Sequence, residues 1–231
     1  MDSSTRPGIT NTAVARKLRR LANGASPRVL DLFSGAGGIS LGFQKAGFHN
    51  VGALEIEPLP ALTHAINFHG ADPELTAMHA RPRDMTRIEP DELAEELGLG
   101  AVEDAIDVLV GGPPCQAYAR VGRAKLREVA DHPQAFKVDP RGNLFLRYLA
   151  YVKTFRPLAL LMENVPDILH YGGHNVIEEI VEALDALGYS ARYSLINSAF
   201  HGVPQMRDRV FLVAFLRELN VKTEFPKATH H

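Results

Sequence analysis

The chain holds a single cysteine, and its surroundings are unlike those of a buried thiol. Cys115 lies in Gly111-Gly-Pro-Pro-Cys-Gln116, a glycine–proline loop directly after the apolar run Ala105-Ile-Asp-Val-Leu-Val110. Most cysteines act as small core residues. Here two prolines limit the backbone ahead of the thiol, and no apolar run encloses it, so an activated thiolate nucleophile is the better account. Three further segments carry reactive or ligand-binding types. Met162-Glu-Asn-Val-Pro166 sets Glu163 at the end of an apolar run, where a carboxylate needs a partner; a helix cap and an arginine are the ordinary ones. Arg207 and Arg209, in the segment 200–209, point the same way if that segment is extended. They then face one pocket, or one of them pairs with Asp208 on the surface. Asp31-Leu-Phe-Ser-Gly-Ala-Gly-Gly38 is a glycine-rich turn; a tight connection and a ligand-binding turn fit it about equally. Its G-x-G-G spacing argues against a dinucleotide, while Glu55 stands where ribose hydroxyls lie in nucleotide-type sites.

These residues need elements to position them. Short apolar runs alternate with helical patterns from Arg28 onward. Strands are expected at Arg28–Leu32, Val51–Glu55, Thr76–His79, Ala105–Val110, Leu158–Met162, Ser190–Ile196 and Arg209–Phe215. Helices are expected from the glycine turn to about Ala46, over Pro58–Phe68, Pro90–Leu97, Asn143–Phe155 and Val176–Leu187. Such alternation predicts an α/β fold: a mostly parallel seven-stranded sheet with helices on both faces and one antiparallel strand near an edge. Residues 116–142 form one long non-apolar interval, the pattern of a functional loop. Residues 1–26 read as an extension with a short basic helix, Val14–Leu21, whose basic face is expected to be solvated.

Composition bounds the rest. At 231 residues and 45% apolar, a core of normal size forms without a metal or disulfide staple. The lone thiol suits a reducing cytoplasm, and neither a signal-peptide pattern nor a membrane-length apolar stretch occurs. With 25 Lys+Arg against 27 Asp+Glu, nothing global marks a nucleic-acid partner.

The four segments together, in order and in register, resemble motifs I, IV, VI and VIII of the cytosine-C5 DNA methyltransferases: the DLFSGAGG turn, the PPCQ loop, the ENV tripeptide and the QxRxR segment. Glu55 and Asp84 take the places of motifs II and III, and Asp139–Phe145 resembles motif V. The resemblance covers about residues 28–215. It implies a Rossmann-like S-adenosylmethionine-dependent methyltransferase fold and methyl transfer to carbon 5 of cytosine in double-stranded DNA, with no metal. In that chemistry Cys115 adds to carbon 6, Glu163 holds the base and supplies a proton, and Arg209 binds O2 with Arg207 in support. The implied cofactor contacts are Phe33, Gly35, Gly37, Gly38, Glu55, Ile56, Asp84, Met85, Pro114 and Leu144. The base must leave the duplex to reach the thiol. Arg120, Arg123, Lys125 and Arg127 then either close over it and meet phosphates or form a solvated loop.

Two departures stand out. The usual PCQGFS is Pro-Cys-Gln-Ala-Tyr-Ala119 here, which removes a glycine and a hydroxyl. Beyond about residue 215 the chain holds only a 16-residue tail, with neither the family's target-recognition region nor motifs IX and X. The expectation is a catalytic domain over 27–215 that works with a complementing subunit or C-terminal region and otherwise leaves an exposed apolar edge. A tRNA cytosine-C5 methyltransferase and a non-catalytic cofactor-binding subunit are the alternatives.

Overall fold

A computed structural model describes residues 12–114, 144–170 and 175–230. Six strands form one sheet in the order β2-β1-β3-β4-β6-β5. They are β1 (Arg28–Leu32), β2 (His49–Leu54), β3 (Val108–Gly111), β4 (Ala159–Asn164), β5 (Tyr189–Asn197) and β6 (Asp208–Leu216). The first four run parallel, whereas β6 is antiparallel to both β4 and β5. The single reversed strand therefore lies one place in from the edge, as the final strand–loop–strand pattern predicts.

The sheet is covered on both sides, which is why its central strands are apolar throughout. Leu30, Leu32, Leu109, Leu160, Met162 and Leu212 face a core built with α5 (Pro90–Glu96), α7 (Leu144–Phe155) and α8 (Val176–Ala186). Each such side chain contributes roughly 1.5–3 kcal/mol relative to exposure. Val29, Val108 and Val110 alternate to the other face and pack against Ile39 and Phe43 of α2 (Gly38–Lys45).

Three expectations change. Thr76–His79 is not a strand but the end of helix α4 (Pro73–His79), so the sheet has six strands among the described residues rather than seven. Asp72 explains it: the carboxylate accepts from the amides of Glu74 (2.9 Å) and Leu75 (3.1 Å), and Pro73 follows at the first helical position. That capping outweighs the strand preference of one threonine. The run beginning at Ala105 enters the sheet only at Val108, because Val102–Ala105 forms a helical turn, α6. Third, the basic face of α1 (Thr12–Ala22) is only partly solvated: Arg16 and Arg19 are exposed, but Lys17 is not. Lys17 is buried and donates to the carbonyls of Phe155 (2.9 Å) and Arg156 (3.0 Å) at the end of α7. Arg16 pairs with Asp104 at 2.8 Å, and Arg20 with Asp107. These charges tie the helix to the domain.

Residues 217–230 double back instead of leading away. The amides of Thr229 and His230 donate to the carbonyl of Phe200, at 2.8 and 3.1 Å.

Candidate active site

Parallel pairing sets the carboxyl ends of β1, β2, β3 and β4 along one edge, with Leu32 opposite Leu54 and Gly111, and Gly111 opposite Met162. Ligands of open α/β sheets bind along this edge. The reversed β6 brings its beginning to the same edge, with Val210 opposite Asn164 and Phe211 opposite Glu163. Residues 46 positions apart thereby meet.

At the β4–β6 end, Glu163 Oε1 lies 2.8 Å from Arg209 Nε and 4.0 Å from Arg207 Nη2. The partner of this carboxylate is thus arginine and not a helix cap. Asp208 does not take Arg209; its carboxylate accepts from Asn197 Nδ2 at 2.8 Å, while Arg209 Nη1 donates to the Asp208 carbonyl. Arg207 is about half exposed, whereas Glu163 and Arg209 are about three-quarters buried. They line a cavity of about 430 Å³ whose other walls include Leu161, Ile196, Phe211 and the returning Phe225.

Beside this pair runs Gly112-Pro-Pro114, the approach to Cys115. A Cβ on Gly112 would stand 2.8 Å from the Glu163 carbonyl oxygen and 3.1 Å from its Oε2, so glycine is what lets the two strand ends come together. Buried Asn164 closes the gap, with Nδ2 donating to the Pro113 carbonyl at 2.8 Å and Oδ1 accepting from the Val165 amide at 2.9 Å. Pro114 is exposed at the mouth. Cys115 itself, the basic loop 120–127 and most of the motif V stretch lie outside the described residues.

At the β1–β2 end the chain turns through three positive φ angles in five residues, Phe33 (63°), Gly35 (54°) and Gly37 (100°). Glu55 locks the turn: Oε2 accepts from the Gly35 amide and Oε1 from the Glu57 amide, both at 2.9 Å. A Cβ at Gly37 would lie 2.3 Å from the Phe68 ring, because α3 (Pro58–His69) presses directly on the turn. Gly35 and Gly38, in contrast, face open space. A backbone open to close approach beside a fixed carboxylate fits a nucleoside with an amino-acid tail, the chemistry of S-adenosylmethionine. The amide of Arg83 donates to the Glu55 carbonyl at 2.7 Å and draws Asp84 to this end.

Not every expected residue arrives. Asp84 reaches the edge but spends Oδ1 on the amide and hydroxyl of Thr86, at 2.8 and 2.7 Å. Met85 is buried in the core and Leu144 is half-buried at the start of α7, whereas Ile56 is largely exposed.

Asn164, Ser40 and His64 were given no role from sequence. Ser40 Oγ donates to Asp31 Oδ2 (2.6 Å) and lies 3.0 Å from His64 Nε2, all three being buried. Burial lifts the Asp31 carboxyl to about 6, with Glu55 adding repulsion against the Ser40 hydrogen bonds, and holds the His64 ring down near 4. A signal did exist: His64, Asn67 and Phe68 recur at helical spacing on one face of α3.

The family model of the C-5 cytosine-specific DNA methylases matches residues 27–231. The chain belongs to this family. Within it, this chain is 34% identical to the type II methyltransferase M1.HphI of Haemophilus parahaemolyticus over 201 residues, 87% of this chain and 48% of the relative. It is 32% identical to M.AquIA of Picosynechococcus over 211 residues, 88% of this chain and 77% of that shorter relative. The fold also matches the S. pombe Dnmt2 methyltransferase structure (20% identity, TM-score 0.58, covering 87% of this chain and 52% of that one). The chain spans about half the length of several curated relatives it matches. Among the described residues, no helix is long and apolar enough to cross a membrane.

Proposed function

We propose that this chain is the catalytic part of a DNA (cytosine-5-)-methyltransferase, with Cys115 as nucleophile. The observation that carries the reading is the Glu163–Arg209 pair, fastened by Asn164 to the chain that enters Cys115. In this reading the Cys115 thiolate adds to carbon 6 of an extruded cytosine while Glu163 delivers a proton to N3, which makes carbon 5 enamine-like. Arg209 holds O2 and keeps Glu163 oriented, and Arg207 adds positive charge. Bound S-adenosylmethionine supplies the electrophilic methyl group that carbon 5 takes. Loss of the carbon 5 proton then expels the thiolate and restores the ring. Phe33, the Gly35–Gly38 turn and Glu55 hold the cofactor; Asp84 and Pro114 line its flank. The half-exposed Arg207 and the basic loop 120–127 meet the phosphates of the duplex. A reducing cytoplasm keeps Cys115 competent.

We further propose that residues 27–215 form the catalytic domain, with α1 docked on it, and that turnover needs the family's remaining half, as a C-terminal region or a separate subunit. Two observations support this. The chain covers about half of most relatives but 77% of M.AquIA, so short members occur. Leu59, Leu62 and Ile66 form an exposed apolar ridge along α3, next to exposed Ile56 and beside the cofactor turn. Combining the chain with a candidate complement and measuring tritiated methyl incorporation into duplex DNA and into tRNA tests both readings. The expected result is methylation of DNA that Cys115→Ser abolishes; activity retained by that variant, or methylation of tRNA alone, refutes the assignment.

A further inference from the structure

We propose that Ser40 and His64 are positioning residues of the glycine turn, joined to Asp31 in one hydrogen-bonded line that fixes α3 against the cofactor site. The inference rests on reading that turn as the cofactor site.

The line crosses all three elements that bracket the turn. Asp31 is the last residue but one of β1, Ser40 stands in the first turn of α2, and His64 is midway along α3. A hydroxyl has one proton. The shorter contact, Ser40 Oγ to Asp31 Oδ2 at 2.6 Å, takes it. Ser40 Oγ is left as an acceptor, so the 3.0 Å contact with His64 Nε2 requires the proton on that nitrogen. The ring is thereby a directed donor and not only a packed apolar group.

What this tie holds is specific. The His64 ring packs against Phe68 with centroids 4.4 Å apart, and both rings abut Gly37. One turn further along α3, Asn67 Nδ2 donates to the Ala36 carbonyl at 3.3 Å. Asn50 Nδ2 donates to the Ser40 carbonyl at 3.0 Å and steadies α2 from β2. Without the donor at 64, Ser40 keeps its bond to Asp31, but α3 loses its buried polar anchor to α2. Gly35–Gly38 then loses the wall behind it, although no ligand-facing atom has changed.

Three substitutions separate this from packing. His64→Phe keeps an aromatic ring and deletes the donor; His64→Gln keeps an N–H near the Nε2 position and deletes the ring; Ser40→Ala deletes the acceptor. On the full chain, calorimetric titration with S-adenosylhomocysteine and amide hydrogen exchange at Gly37 and Gly38 are the readouts. The expected result is about tenfold weaker binding and about tenfold faster exchange for His64→Phe and Ser40→Ala, with exchange in β4 unchanged. His64→Gln stays within about threefold of the unaltered chain, and adding His64→Phe to Ser40→Ala is no worse than Ser40→Ala alone. A His64→Phe chain with unaltered binding and exchange overturns the proposal, as does a His64→Gln chain as impaired as His64→Phe. An unaltered chain that binds no S-adenosylhomocysteine counts against the cofactor reading of the turn, while exchange at Gly37 still decides the positioning claim.

Discussion

Two arginines in this chain have opposite duties, and removing each in turn separates structure from chemistry. Arg147 is buried on α7, where Nε donates to the Met85 carbonyl (2.9 Å), Nη2 to the Ile88 carbonyl (2.6 Å) and Nη1 to Glu89 (2.9 Å). Arg147→Ala strands the buried Met85 carbonyl, while Glu89, mostly exposed, recovers water. Losing two charge-assisted bonds to buried carbonyls costs about 3 kcal/mol. For a chain of this size that lowers Tm by roughly 6–12 °C. Arg209 touches Glu163 at 2.8 Å, but both side chains retain contact with solvent. Arg209→Ala therefore costs no more than about 1 kcal/mol, a shift of roughly 2–4 °C or less. If Arg209 orients the base and its proton donor as proposed, methyl transfer with the complement present falls far more, by about a hundredfold or more. Urea and thermal unfolding on the chain, paired with methyl incorporation, read both quantities. If Arg209→Ala unfolds the chain as readily as Arg147→Ala, the Glu163–Arg209 pair is a structural tie and the site assignment fails.

Gly112→Ala is expected to push the PPC approach off the Glu163 carbonyl and cut methyl transfer by about a hundredfold, with cofactor affinity little changed; equal losses in both would point to unfolding instead. Asn164→Asp keeps the acceptor for the Val165 amide but loses the donor to Pro113, so covalent trapping by 5-fluorocytosine DNA falls while Tm moves by only a few degrees, roughly. Stability against pH carries opposed contributions, with the buried His64 and His79 on one side and Asp31 on the other. Burial, with His69 and Arg83 nearby, holds His79 near 4 instead of 6.5, so the unfolded chain protonates first and stability falls as pH drops from 6.5 toward 4. Asp31, raised from 3.8 to about 6, acts in reverse: its contribution is full below 3.8 and is lost as pH rises through 6. His79→Leu is thus expected to flatten the acid side by about 1 kcal/mol between pH 6.5 and 4.5, after allowing for residual contact with water, and Asp31→Asn to steepen it. Urea midpoints at the two pH values check this, and an unchanged slope in His79→Leu refutes it.

What the sequence made legible follows from range. The glycine turn and six of the seven expected strands are local patterns and are present, although β3 begins three residues later than its apolar run. Thr76–His79 misleads because one threonine among Ala, Met and His carries little strand preference, whereas the Asp72–Pro73 cap that decides the matter lies just upstream. The basic face of α1 misleads for another reason. The Phe155 and Arg156 carbonyls that Lys17 caps are 138 and 139 residues away, and no local rule brings them near. At the site, the residue types that matter stand in motifs, but which carboxylate meets which cation depends on strand order. Ser40 and His64 stand in no motif of their own, and only the packing of α3 on the turn joins them to Asp31.

The reversal of β6 also sets an order of assembly. The elements that bracket the glycine turn, β1, α2, β2 and α3, all lie in the first 69 residues, and their contacts with one another are short in sequence. Arg209 reaches Glu163 only after β6 has entered between β4 and β5, a non-local pairing that pays its loop-closure cost late. On topology alone, the short-range contacts of the turn are expected to form before the Glu163–Arg209 pair. A chain clipped before Arg207 keeps the residues of the glycine turn and loses both arginines that face Glu163.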